Sequence, residues 1–102
     1  MRNADIRQIL LDAHSILLNN GWIQHASHNE HGHCLSGAIA RASIGPLYHR
    51  ALGLVLRKIH DSENTATVAE WNDMPERTME QVLNMLQIAI ESCSQESAEN
   101  QQ

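Results

Sequence analysis

The sequence predicts an all-α fold, a compact single-domain bundle of about five helices with one irregular, histidine-rich loop. Three observations carry this reading. Apolar residues recur at three- and four-residue spacing near both ends of the chain. With no Phe, one Tyr and two Trp in 102 residues, the core must be built from Leu, Ile, Val, Ala and Met, a mixture that suits helices better than sheets. Turn-forming clusters at Asn19-Asn20-Gly21, Gly45-Pro46 and Asn72-Asp73-Met74-Pro75 cut the chain into helix-length pieces.

The first helix is expected over residues 4–19. Ile6, Ile9, Leu10, Ala13, Ile16 and Leu17 form its apolar stripe, with Arg7, Gln8 and Asp12 facing away. Asn3 is a candidate N-cap, Asn19-Asn20-Gly21 is a stop that tolerates a left-handed turn, and His14 lies at the stripe's edge. Residues 21–33 read as a polar connection anchored by Trp22 and Ile23, with a turn at Asn29 to Gly32 between two short extended arms. A second helix follows from Cys34 to Ala42, burying Leu35, Ala38, Ile39 and Ala42, while Ser36, Gly37 and Ala40 allow close approach of a neighbour.

Ser43-Ile44-Gly45-Pro46 ends that helix, and Pro46 suits the first turn of the next, expected over 46–60. Its centre, Ala51 to Leu56, is apolar nearly all round, which predicts the central, fully covered helix of the bundle. The surplus apolar face alternatively serves a homodimer. Residues 61–66 form a loop, and 67–71 a short helix with Val68 and Trp71 facing inward. Thr78 and Gln81 have the spacing of a capping box, each satisfying the other's free backbone amide. The last helix then carries Met79, Val82, Leu83, Leu86, Ala89, Ile90 and Cys93 on one stripe, widened by Met85, with Ile88 on the opposite face. Residues 1–93 constitute the helical domain, and the polar, acidic stretch 94–102 is expected to be a disordered tail.

The net charge of −5 is unevenly spread. His31 to His60 contains no Asp or Glu yet holds Arg41, Arg50, Arg57 and Lys58, whereas Arg77 is the one basic residue after position 60. That basic patch is a weak nucleic-acid interface at best, because it lacks aromatic stacking residues and the protein as a whole is acidic. Nothing approaches the ~18 apolar residues of a membrane span, and no secretory signal opens the chain, so the expected location is cytoplasmic. Cys34 and Cys93 are then expected as free thiols. There is no Gly-rich phosphate loop, paired-carboxylate motif or serine elbow.

Four separated motifs occur in order: Gly21-Trp22 with Gln24; Gly32, Cys34-Leu35, Gly37-Ala38-Ile39 and Ala42; Trp71-Asn72-Asp73 with Pro75 and Arg77-Thr78; and Val82-Leu83, Leu86 and Ala89. This pattern, over roughly residues 5–92, resembles a family of small uncharacterised proteins from bacteria and their phages, a domain of unknown function. The resemblance implies no established chemistry, and its pattern does not call for His25, His28, His31 or His33.

Three groups of residues are candidates for function. Trp22, Gln24, Cys34, Trp71, Asn72, Asp73 and Arg77 bracket a candidate polar pocket, in which Gln24, Asn72 and Asp73 meet across the Trp22 loop. The structural alternative is that Asn72 and Asp73 cap a helix and that Asp73 pairs with Arg77. His25, His28, His31, His33 and Cys34 carry zinc's preferred ligand atoms on one loop, though at no standard finger spacing. Cys34 beside His25 or His33, with an acid such as Asp73, holds the minimum set for thiol catalysis. The expected function is a small non-enzymatic helical protein that docks on a protein partner, in the style of a phage-encoded inhibitor of a host or defence complex, with no cofactor. The alternative is a zinc-binding protein or a thiol or metal hydrolase using the His25–Cys34 loop.

Overall fold

The computed structural model describes residues 2–100 apart from 64 and 66, with side chains described from residue 5 to residue 93. Five helices appear in the order α1 (Arg2–Asn20), α2 (Leu35–Ala42), α3 (Leu47–Ser62), α4 (Val68–Asn72) and α5 (Met79–Asn100). Between α1 and α2 lies a small antiparallel hairpin, β1 (His28–Asn29) and β2 (Gly32–His33), pairing His28 with His33 and Asn29 with Gly32. The fold is therefore predominantly α, with the loop folded into the two short arms its sequence suggested.

α1 buries Ile6, Ile9, Leu10, Ala13 and Leu17, and Gln8 donates to Asp12 one turn on along its exposed side. It ends where the Gly21 amide donates back to the Leu17 carbonyl at 2.9 Å, with Gly21 at φ +102°. The helix starts at Arg2, upstream of the cap expected at Asn3. α5 buries Val82, Met85, Leu86, Ala89, Ile90 and Cys93, and leaves Ile88 exposed as its phase requires. Its capping box forms: the Thr78 amide donates to Gln81 Oε1 at 3.1 Å, and the Gln81 amide to Thr78 Oγ1 at 3.2 Å. The backbone of α5 runs past Cys93 without a break to Asn100. The tail expected at 94–102 lies outside the residues whose side chains are described.

One expectation is corrected. The centre of the bundle is α1, which packs on α5, α2 and α3 and against β2; it is not α3. Only Ala51, Val55 and Ile59, four apart, are fully buried along α3. Leu52, Leu54 and Leu56 are half-buried at the flanks, and Gly53, Arg50 and Arg57 are exposed. An apolar centre on every side misled because the flanking leucines need only edge contacts, while one stripe faces the other helices. Among the described residues, no helix is long and apolar enough to cross a membrane.

Candidate functional site

Residues 21–34 form a strap laid over α2 and α4, and the strap is held at two levels. At the first, backbone meets backbone. The His33 amide donates to Gly21 O and the Ile23 amide to His33 O, both at 3.0 Å, and the Cys34 amide donates to Ser27 O at 3.0 Å. Gly21 and Gly32 permit this approach, since a Cβ on Gly32 would stand 2.3 Å from Gly21 O.

At the second level the strap is bonded to α4 through Asn72, whose side chain is completely buried. Asn72 Oδ1 accepts from the Trp22 indole N–H at 2.6 Å and from the Leu35 amide at 2.9 Å. Its Nδ2 donates to Ile23 O at 3.1 Å and to Asp73 Oδ1 at 2.9 Å. Gln24 Nε2 donates to the carbonyls of Asn72 (3.0 Å) and Met74 (2.8 Å), and the His25 amide donates to Asp73 Oδ1 at 2.9 Å. Asn72 thus supplies from a distant segment the acceptor that the first amide of α2 lacks within its own helix. Within the same first turn the thiol of the N-cap residue Cys34 accepts from the Gly37 amide at 3.3 Å.

Trp22, Gln24, Asn72 and Asp73 therefore do come together, as the sequence suggested. They meet by bonding one another and the backbone, and Asn72 presents no surface to a ligand. Burial pushes the Asp73 carboxyl up, but the His25 amide, the Asn72 amide and the His25 ring together hold it below the usual carboxylate range.

The expected Asp73–Arg77 pair is absent. Arg77 stacks on Trp71, 3.9 Å from the ring centre, and its NH2 group reaches Glu63 Oε1 at 3.1 Å. The Trp71 indole donates to Glu63 Oε2 at 3.1 Å, and Arg77 Nε donates to Trp71 O at 2.9 Å. Glu63, just past α3, was not singled out from sequence because it sits in a loop-like DSENTA run with no helical phase to mark it. Its pairing follows from geometry: Trp71 is buried, so the guanidinium on its face is drawn toward the α3 end.

The hydrogen bonds from Trp71 and Arg77, with the Arg77 charge behind them, outweigh burial and hold the Glu63 carboxyl below its ordinary value. A folded pKa below the unfolded one stabilises the fold above the unfolded pKa, and that contribution is lost as pH falls through the folded value. Acid unfolding followed by circular dichroism is expected to show this loss in the native protein and to show less of it in Glu63→Gln. Equal acid sensitivity in both would contradict the clamp.

The loop histidines split between two places. His28 and His33 stack across the hairpin with ring centres 5.9 Å apart, while exposed His25 points its Nδ1 toward Asp73 at 3.8 Å. Among the described residues, no three His, Cys, Asp or Glu side chains converge as a metal site would need. His25, Cys34, Ser36 and Asp73 do line one depression of ≈ 240 Å³. The described hydrogen-bond partners of the Cys34 thiol there are the Gly37 amide and the Ser36 hydroxyl, not an imidazole able to serve as its base.

The basic residues are likewise divided. Lys58 faces Asp61 at 3.9 Å, Arg50 and Arg57 lie exposed on α3, and Arg41 lies beside His33 and His28 on a separate depression. Sequence reasoning also missed the apolar surface near the α2–α3 turn. Ile44 is 81% exposed and rims a depression of ≈ 180 Å³ floored by Ile9, Ala42 and Leu47, with Asp5 and Asp12 of α1 on its edge. A lone Ile inside a Ser-Ile-Gly-Pro turn was the available signal.

No curated protein and no solved structure matches this chain. A family model does, over residues 1–92, the span that includes the strap, the Asn72 hub, the Glu63–Arg77 clamp and the Ile44 depression. The chain belongs to the family of unknown function (DUF6197).

Proposed function

We propose that this protein is a non-catalytic helical binding module that docks a protein partner at the Ile44 depression. The observation that supports this is an aliphatic side chain 81% exposed at the rim of an apolar depression flanked by two carboxylates. Single exposed apolar residues are common, but one poised over an apolar floor provides a contact in which a partner's side chain is desolvated. Asp5 and Asp12 select the partner's character: an aliphatic or aromatic anchor flanked by Lys or Arg. The polar cluster around Asn72 serves as scaffold in this reading, because its donors and acceptors are bonded to one another.

Peptide display selection on the native protein, with counter-selection on Ile44→Asp, tests it. The expected result is enrichment of peptides carrying an apolar anchor near basic residues, retained by the native protein and lost on Ile44→Asp. Peptides held equally by the variant, or an acidic consensus, would overturn the proposal. So would a concentration-dependent dimer that Ile44→Asp converts to a monomer, since the occupant would then be a second copy.

A further inference from the structure

The open depression between the hairpin and α2 has a volume of ≈ 460 Å³ and is lined by Ser27, His28, His33, Gly37, Ala40 and Arg41. Its composition is unusual for an acidic protein. Its ionisable groups are two imidazoles and a guanidinium, and no carboxylate lines it. The fold gathers them: strand register sets His28 opposite His33, and the tight seating of Gly37 against the Ser27 carbonyl fixes α2 beside the hairpin, with Arg41 in its last turn on the same depression. Gly37 and Ala40 keep the floor free of bulky side chains, and Ser27 adds a hydroxyl at the edge.

From this we infer an oxyanion site: His28, His33 and Arg41 bind the phosphate group of a small phosphate or phosphate monoester. Arg41 provides the planar, permanently charged fork suited to phosphate, and the imidazoles add donors that strengthen when protonated. Their positive charges oppose one another at close quarters. Burial, then the Arg41 charge, then His28 hold the His33 imidazole below its ordinary value, and its Nδ1 is buried with no hydrogen-bond partner. A dianion seated among them reverses that opposition and favours the doubly protonated His33 ring. The volume exceeds what inorganic phosphate fills, leaving room for an organic substituent.

The test is titration of the histidine ring resonances of the full chain by NMR, with inorganic phosphate against sodium chloride at matched ionic strength. His14, His49 and His60 are internal controls outside the depression. The expected result is saturable shifts at His28 and His33, with the His33 pKa raised by about one pH unit when phosphate is saturating. Arg41→Gln, a change at an exposed position, is expected to weaken that saturation by about tenfold. Glucose 6-phosphate in a second arm distinguishes the sources: tighter saturation than phosphate marks a phosphorylated small molecule, and equal saturation marks the free anion. Shifts that chloride reproduces, that never saturate, or that survive Arg41→Gln unchanged would overturn the site.

Discussion

Replacing Asn72 with alanine is expected to destabilise the protein by roughly 2–5 kcal/mol, from about 1–3 kcal/mol for a buried group left without a partner and less for each part-buried one. Three groups lose a partner: the buried Leu35 amide and the part-buried Trp22 indole lose their acceptor, and the part-buried Ile23 carbonyl loses its donor. Against a total stability of about 5–15 kcal/mol for a domain, this is enough to unfold a sizeable fraction of the chain. Urea denaturation followed by tryptophan fluorescence reads it directly, since Trp22 is a member of the cluster. Asn72→Asp separates hydrogen bonding from shape. The aspartate keeps both acceptor roles but cannot donate to Ile23 O, and it sets a second carboxylate against Asp73. Like charges raise the folded pKa of the pair, so this variant is expected to recover part of its loss as pH falls. A loss under 1 kcal/mol for Asn72→Ala would show that the strap is held by something else.

The second large effect is at glycine, and its sign depends on place. Gly32→Ala is expected to cost about 2–5 kcal/mol, because the residue sits at φ +148° and its new Cβ would lie 2.3 Å from the Gly21 carbonyl oxygen. That neighbour is backbone in the same strap and has nowhere to move without breaking the His33–Gly21 hydrogen bond. Gly53→Ala is the counterpart. Gly53 is exposed within α3 and an added Cβ meets nothing within 4 Å, so alanine is expected to stabilise by roughly 0.5–1 kcal/mol. Thermal melts of the two variants beside the native protein check both signs; a neutral Gly32→Ala would contradict the close approach.

Much of the fold was legible from residues alone, for reasons that can be named. The stripes of α1 and α5 are long enough for period to override local ambiguity, and the Thr78–Gln81 box follows from spacing. Val68 and Trp71 could be placed inward because a five-residue helix has only one face to bury. The helix α3 was misjudged because hydrophobicity says that a side chain avoids water but not how many neighbours are available to cover it.

Of the candidate site, the meeting of Trp22, Gln24, Asn72 and Asp73 was legible as a set of polar residues flanking turns. Its sense was not: whether such residues face a ligand or each other is decided by contacts some fifty positions apart, such as Trp22 with Asn72. Arg77 illustrates the same limit. Asp73 is its neighbour in sequence, yet the guanidinium lies on Trp71 and bonds Glu63, fourteen positions away. The Ile44 surface and the His28–His33–Arg41 depression depend equally on how separate segments are laid together.

Hydrogen exchange at two protons tests most directly whether a buried asparagine fastens the strap to the helices. The Leu35 amide and the Trp22 indole N–H both donate to Asn72 Oδ1. Both are predicted to exchange as slowly as core amides such as that of Leu86, opening only when the whole domain unfolds. Exchange of these two protons at the rate of the exposed hairpin, while Leu86 stays protected, would contradict it.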